Sequence, residues 1–194
     1  MSRQIAIIQG HPDPDSRRLC RALADAYDAG AQEAGHVTHR IDLATLDIPL
    51  LRTQHAFEHD PVPDTLSAAR DAITAADHVV LVFPLWLGTM PALVKAFLEQ
   101  VMRPGVAFAY QERKLPRKLL AGRSARVVVT MGMPALAYRL WYGAHGLKAL
   151  EHGILRFVGI RPVRWTLLGM VANAKEPKRR KWLDKMRDLG RKGI

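Results

Sequence analysis

Residues 5–16 read Ile-Ala-Ile-Ile-Gln-Gly-His-Pro-Asp-Pro-Asp-Ser. A short apolar strand breaks at Gly10, crosses a polar loop stiffened by two prolines, and opens into an amphipathic helix. The helix places Leu19, Leu23, Ala26 or Tyr27, Gly30 and Ala34 at the three-and-four spacing of a buried stripe, and Gly35 can end it. A helix fed directly by a strand presents unpaired N–H groups and the positive end of its dipole, which bind an anion without an ion pair. Ser16 is well placed to cap that helix, and Arg17 and Arg18 add charge. The plain alternative is a turn and helix start built by Asp13, Pro14 and Asp15. Two carboxylates beside an anion are unfavourable unless they face away.

Working outward, apolar runs recur at Ile5–Ile8, Val79–Phe83, Arg126–Thr130 and Val163–Leu168, with a weaker one at Val37–Ile41. They alternate with helical stretches: Asp64–Ala76, a helix opening at Pro91 and burying Leu93, Val94, Phe97, Leu98 and Val101, then Gly143–Phe157 and Pro177–Leu189. Alternating strands and helices predict an α/β fold, a doubly wound five-stranded parallel sheet with helices on both faces. Ligands of such sheets lie beyond the carboxyl ends of the strands. The loops after the first, third and fourth strands, Gly10–Ser16, Pro84–Met90 and Thr130–Tyr142, are therefore expected to form the site.

The 194 residues suit one compact domain, residues 1–194, with no linker, repeat or low-complexity segment. The single cysteine, Cys20, excludes an internal disulfide framework and any CxxC metal knuckle, and its neighbours Leu19, Ala22 and Leu23 read it as core. The opening Met-Ser-Arg-Gln leads straight into a strand without a secretion signal, so a cytoplasmic setting is expected. The long uncharged run from His78 to Val94 carries two prolines and a glycine, and it falls short of the roughly 20 residues of a spanning helix.

The net charge is +11, and two windows account for all of it. Residues 111–126 hold six basic side chains against Glu112, and residues 175–193 hold nine against Glu176, Asp184 and Asp188. Both windows look peripheral, so a solvated basic surface is the first reading. Attraction of an anionic cofactor, a membrane surface or nucleic acid is the second. Without aromatic interleaving or a recognised motif, specific nucleic-acid readout is not expected.

The chemistry of the loops narrows the ligand. The first lacks the GxGxxG pattern, and no P-loop occurs, so a permanently held dinucleotide of the Rossmann kind is excluded. The second, Pro-Leu-Trp-Leu-Gly-Thr-Met-Pro at 84–91, puts large apolar groups where a strand gives way to solvent. A flat aromatic ligand beside Trp86 and Leu87, its polar edge on loop amides, explains that; packing of Trp86 in the core or a subunit interface is the alternative. The third, Thr-Met-Gly-Met-Pro at 130–134, is followed by Tyr138, Tyr142 and His145. Gly132 permits close backbone approach, and tyrosine with histidine can stabilise negative charge on a reduced ring.

His-Ala-Phe-Glu-His at 55–59 matches the H-x-x-E-H zinc-protease pattern. That chemistry needs a stable helix and a third ligand, whereas this segment follows Pro49 and stops at Pro61. No metal site is expected. Serine hydrolase chemistry has no G-x-S-x-G to support it.

Gly-His-Pro-Asp-Pro-Asp-Ser at 10–16, Phe-Pro-Leu-Trp at 83–86, Met-Pro-Ala-Leu-Val-Lys at 90–95, Gly-Val-Ala-Phe-Ala-Tyr at 105–110 and Ile-Leu-Arg-Phe-Val-Gly at 154–159 occur in order along nearly the whole chain. Together they resemble the flavodoxin-fold NAD(P)H:quinone oxidoreductases, the DT-diaphorase-like family. The resemblance implies a flavin, FMN or FAD, with His11, Ser16, Arg17 and Arg18 around its phosphates. Pro84, Leu85, Trp86 and Leu87 would line the isoalloxazine, with Thr130, Met131, Gly132 and Met133 at its opposite edge. Tyr138 and His145 would assist hydride transfer, with Tyr142 competing for the tyrosine role. NADH or NADPH would be the electron donor and a quinone-like molecule the acceptor, in a ping-pong cycle. The resemblance further implies a homodimer with Trp86, Phe108 and Tyr110 near the partner. The alternative is a regulatory or ancillary flavin-binding subunit that docks on a membrane or membrane protein through the basic C-terminal helix.

Overall fold

The computed structural model describes residues 2–194. Its first unit runs β1 (Gln4–Gln9), α1 (Leu19–Glu33), β2 (Val37–Asp42). A short helix α2 (Gln54–His59) and α3 (Asp64–Ala75) lead to β3 (His78–Pro84) and α4 (Ala92–Val101). A hairpin of β4 (Phe108–Gln111) and β5 (Lys114–Lys118) precedes β6 (Ser124–Thr130) and α5 (Ala135–Leu140). One helical stretch then changes pitch along its length: α6 (His145–Lys148), a π-helical segment Ala149–Leu155, and α7 (Arg156–Val158). The chain closes with β7 (Val163–Leu168) and α8 (Glu176–Arg191).

Five strands form a parallel sheet in the order β2-β1-β3-β6-β7. The central strands β3 and β6 are rich in valine and almost wholly buried, as a sheet covered on both faces requires. Side chains alternate between two cores. Ile5, Ile7, Val80, Val82 and Val128 face α1 and α8, packing with Leu23, Tyr27 and Met186. Ala6, Ile8, Val79, Leu81, Phe83, Val127 and Val129 face the other layer, with Leu66, Ile73, Phe97 and Leu150. The strand order reverses between β1 and β3, which opens a crevice at their carboxyl ends.

Helices α1 and α8 touch backbone to backbone. A Cβ on Gly30 would collide with the Arg187 carbonyl oxygen, and one on Gly190 with that of Tyr27. Arg187 and Arg191 of α8 both pair with Glu33 at the end of α1.

The strand boundaries expected from the sequence hold to within a few residues, and the differences lie in the helices and loops. The loop expected over Thr130–Tyr142 contains α5 (Ala135–Leu140), and α2 stands in a stretch read without a stable helix. The helix expected over 143–157 begins at His145, because Gly143 (φ 60°) and Ala144 (φ 49°) are left-handed and cannot start a right-handed turn. The first basic window, expected as a loop before a strand, contains β5, the second strand of an antiparallel hairpin whose first strand, β4, ends at Gln111. The β5 sequence, Lys-Leu-Pro-Arg-Lys, lacks a buried face and carries a proline, so no period-two pattern marks it.

Candidate functional site

A cavity of about 270 Å³ opens at the crevice. Its walls are His11 from the first loop, Leu19 and Cys20 from the start of α1, Pro84, Leu85 and Trp86 after β3, Thr130, Met131 and Gly132 after β6, and Val171 after β7. The three expected loops thus converge. Ser16, Arg17, Arg18, Leu87 and Met133 lie outside the cavity wall, and so do Tyr138 and His145. Leu19, Cys20 and Val171 escape the sequence reading. The first two are the first residues of the helix that the loop feeds, whereas Val171 is placed by its own N–H donating to the Met131 carbonyl at 3.2 Å.

The first loop is a ladder of side chain to backbone bonds. The Asp13 N–H donates to His11 Nδ1 (3.1 Å), the Asp15 N–H to Asp13 Oδ1 (2.9 Å) and the Arg17 N–H to Asp15 Oδ1 (2.9 Å). Below it, the Gly10 N–H donates to the Val82 carbonyl at 2.7 Å, and a Cβ there would lie 2.8 Å from Val94 Cγ2. Only glycine lets β1 leave the sheet so tightly against β3 and α4. The same carboxylates hold the arginines: Asp15 pairs with Arg17 and Asp13 with Arg18. The Asp15 N–H and then the Arg18 guanidinium hold the Asp13 carboxyl below the usual carboxylate range; for Asp15 the Arg17 guanidinium comes first.

Two expectations change at this loop. Ser16 does not cap α1: the cap position is Arg18, and no side chain caps it. The Asp13–Asp15 ladder carries the turn two residues further and leaves Ser16 exposed on its crest. The two aspartates, unfavourable beside an anion as bare charges, are turned onto loop amides and arginines. His11 sits at the inner edge, its ring 6.2 Å from that of Trp86 at an interplanar angle of 79°. Burial, reinforced by the Arg18 charge, lowers its pKa, which favours a neutral imidazole.

The second loop is a two-residue hairpin turn. The Trp86 N–H donates to the Thr89 carbonyl at 2.9 Å, and the Thr89 N–H returns a bond to Trp86 at 3.0 Å. The central residues Leu87 (φ 48°) and Gly88 (φ 80°) are both left-handed, the pattern of a type I′ turn. Glycine takes that conformation freely, but a leucine there costs roughly 1–2 kcal/mol. Leu87 nonetheless stands fully in solvent, and Trp86 is half-exposed beside it.

The third loop supplies the facing wall. The Thr130 carbonyl accepts from the Leu85 N–H at 2.8 Å, which ties the two loops together, and Thr130 Oγ1 lies 3.2 Å from Cys20 Sγ. Burial pushes the Cys20 thiol up to about 11, so it is a packing group at neutral pH. A Cβ on Gly132 would meet nothing within 4 Å, so the space beside it is open on the cavity it lines. Tyr138 is buried and its hydroxyl donates to the Gly88 carbonyl at 3.1 Å. His145 is exposed, and its ring lies over Gly143, where a Cβ would be 2.7 Å from Nε2. Tyr142 is exposed as well.

This arrangement suits a flat, polar-edged ring with an attached anion. Among the described residues, the N–H groups of Leu87, Gly88, Gly132 and Met133 donate to no protein acceptor, and neither do those of Ser16, Leu19 and Cys20. Gly132 leaves room for close approach, and Trp86 offers an aromatic edge. His55 and His59 of α2 have rings 5.0 Å apart, but among the described residues no trio of His, Cys, Asp or Glu side chains is gathered to hold a metal. A second cavity, about 290 Å³, lies away from these loops between α4, β4 and the helical stretch 153–158, with Phe108, Tyr110 and Phe157 in its wall.

Known proteins agree with this architecture. The FMN-dependent NADH:quinone oxidoreductase of Ruegeria pomeroyi is 31% identical over 149 residues, covering 69% of this chain and 72% of that protein. An uncharacterized NAD(P)H oxidoreductase of Haemophilus influenzae is 29% identical over 171 residues, covering 84% and 82%. The solved NAD(P)H:quinone oxidoreductase from Methanothermobacter marburgensis superposes with a TM-score of 0.82 across 100% of both chains, at 23% identity, a likeness of fold. The sequence profile of the family described as having a flavodoxin-like fold matches residues 3–189. With the reversed strand order and the three converging loops, that match makes this chain a member of the flavodoxin-like fold family.

Proposed function

We propose that this protein is a flavin-dependent NAD(P)H oxidoreductase that reduces quinones or similar planar acceptors. The observation that carries the reading is the cavity at the strand-order reversal, walled by an aromatic turn on one side and an open glycine on the other. A bound flavin supplies two-electron, hydride-accepting chemistry, so donor and acceptor use one face in turn. The relatives named FMN-dependent support FMN.

Pro84, Leu85 and Trp86 would line the ring from one side and Thr130, Met131 and Gly132 from the other, and the unpartnered amides of Leu87, Gly88, Gly132 and Met133 would be available to its polar edge. The crest of the first loop, with His11, Ser16, Arg17 and Arg18, receives the phosphate. For the two arginines this requires exchange of an aspartate for the phosphate, because each is already paired. His145, exposed beyond Gly143, is the group assigned to stabilising negative charge on the reduced ring. Tyr138, expected beside it, stands behind the Trp86–Thr89 turn with its hydroxyl on the Gly88 carbonyl, so its part in hydride transfer runs through that turn.

A homodimer goes with this reading, its contact formed around half-exposed Trp86 and exposed Tyr110. Phe108, expected there too, is 4% exposed and packs edge-on against Tyr110 (5.4 Å) and Phe157 (4.9 Å), so it supports the surface from beneath. A cytoplasmic location and a single flavin domain over residues 1–194 belong to the same reading. Among the described residues, no helix is long and apolar enough to cross a membrane. The outer face of α8, with exposed Lys178, Arg180, Lys181 and Lys185, favours a second reading in which an ancillary flavin subunit docks on an anionic membrane or membrane-protein surface.

The test is direct. Purified protein should be yellow, or become so with FMN, and should bleach under anaerobic NADH or NADPH. Protein that stays colourless after incubation with FMN and FAD overturns the proposal.

A further inference from the structure

Non-glycine residues rarely adopt left-handed backbone, and where they do the neighbouring structure must hold them there. Among the described residues four do so, Leu87, Arg113, Ala144 and Met170; Leu87 directly follows the cavity-lining Trp86, and Met170 directly precedes the cavity-lining Val171. Leu87 is the most exposed of the large apolar residues and belongs to a turn closed by its own two bonds. Alone, that turn has an easy escape: leucine relaxes to negative φ and the strand end splays.

Two residues from a remote segment block the escape. Tyr138, 2% exposed, reaches the Gly88 carbonyl with its hydroxyl at 3.1 Å. Gly146 packs against the same peptide so closely that a Cβ would collide with the Gly88 carbonyl oxygen and lie 2.7 Å from Thr89 Cα. The segment that carries both is bent back on itself by left-handed Gly143 and Ala144, and the Ala144 N–H donates to the Tyr138 carbonyl at 3.0 Å. The bend delivers a phenol and a bare backbone to one peptide.

We propose that Tyr138 and Gly146 form a clamp on the Leu87–Gly88 turn, and that Tyr138 is a positioning residue of the flavin site acting through the Gly88 carbonyl. The clamp holds a strained leucine at the rim, so that the Leu87 and Gly88 amides keep a fixed place beside the ring. This rests on the flavin reading above, and it assigns Tyr138 no proton or charge of its own in the reaction. A hydroxyl already donating to a buried carbonyl has its proton committed.

The clamp predicts coupling between two positions that nothing else links. Tyr138→Phe keeps the ring and removes the donor. In the flavin-free protein, hydrogen exchange over residues 85–90 should then rise about tenfold, and FMN should bind about fivefold more weakly by fluorescence quenching, with a shifted bound-flavin absorbance. Leu87→Gly removes the strain that the clamp opposes. In the Leu87→Gly background, adding Tyr138→Phe should cost less than about twofold on both measures. Equal penalties in the two backgrounds overturn the clamp. So does a Tyr138→Phe protein that exchanges and binds FMN like wild type but is reduced slowly, since the phenol would then act on the reaction directly. Wild-type protein that binds no flavin removes the functional reading instead, while the exchange measurement still decides the clamp.

Discussion

The two loops that meet at His11 and Trp86 are built on opposite plans. The Gly10–Arg18 loop is local: each bond of its ladder spans two residues, and both arginine pairs lie within five. The Trp86–Thr89 turn is non-local, with its hydroxyl donor 50 residues away in sequence. One loop carries its own support and the other borrows it. A self-supported loop keeps its shape through its own short-range bonds and can exchange partners at its surface, whereas a borrowed one fails when a distant packing contact fails.

The contrast breaks most visibly at Gly146. A methyl group there would overlap the Gly88 carbonyl oxygen, so Gly146→Ala should destabilise the fold by about 2 kcal/mol or more, read from urea unfolding, and weaken FMN binding as well. An unchanged midpoint would mean that the turn is free to shift. At the first loop the effect should be smaller and separable. Asp13→Ala removes both the acceptor for the Asp15 amide and the partner of Arg18, and should weaken FMN about threefold. Asp13→Asn keeps an acceptor and frees Arg18, so FMN should bind at least as tightly as to wild type, while riboflavin, without a phosphate, should be indifferent to it. Equal losses in both variants would show that the charge, and not the ladder, shapes the loop.

The smallest effect is one of pH. Asp13 and Asp15 have folded pKa values depressed below their ordinary 3.8, Asp13 chiefly by the Asp15 N–H and Asp15 chiefly by the Arg17 guanidinium. A depressed carboxylate contributes stability that is complete above 3.8 and is lost as pH falls toward the folded value. Amide chemical shifts of Asp15 and Arg17 should therefore hold steady from neutral pH through 4 and move only below it. Movement of those amides near pH 4 would show that the ladder is open in solution.

What the sequence made legible follows the same division. The Ile5–Ser16 stretch announces a strand, a glycine break and a helix, because each signal lies within a few residues of what it controls. The convergence of the loops after β1, β3 and β6 follows from strand order, and strand order from alternating βα units. Ser16 suits a cap by its side chain, but Asp13 and Asp15 take the loop amides of Asp15 and Arg17 and carry the turn past it. The left-handed Leu87 has no sequence signal of its own: nothing in the Leu-Gly pair announces the contacts that Tyr138 and Gly146 make with its turn. Tyr138 follows the Thr130–Pro134 loop closely, which indicates a neighbourhood but not which atom its hydroxyl meets. The β4–β5 hairpin was hidden by its own lysines and proline.

The glycines at the α1–α8 contact have a mechanical consequence. With Gly30 against Arg187 and Gly190 against Tyr27, the two helices have no side chain between their backbones at those two points to slide or tilt upon. They act together as one splint: α1 begins in the cavity wall at Leu19 and Cys20, and α8 carries the basic outer face. Anything that lands on that face cannot peel α8 away without exposing the core beneath it, and so meets the cavity at a distance set by the length of a rigid rod.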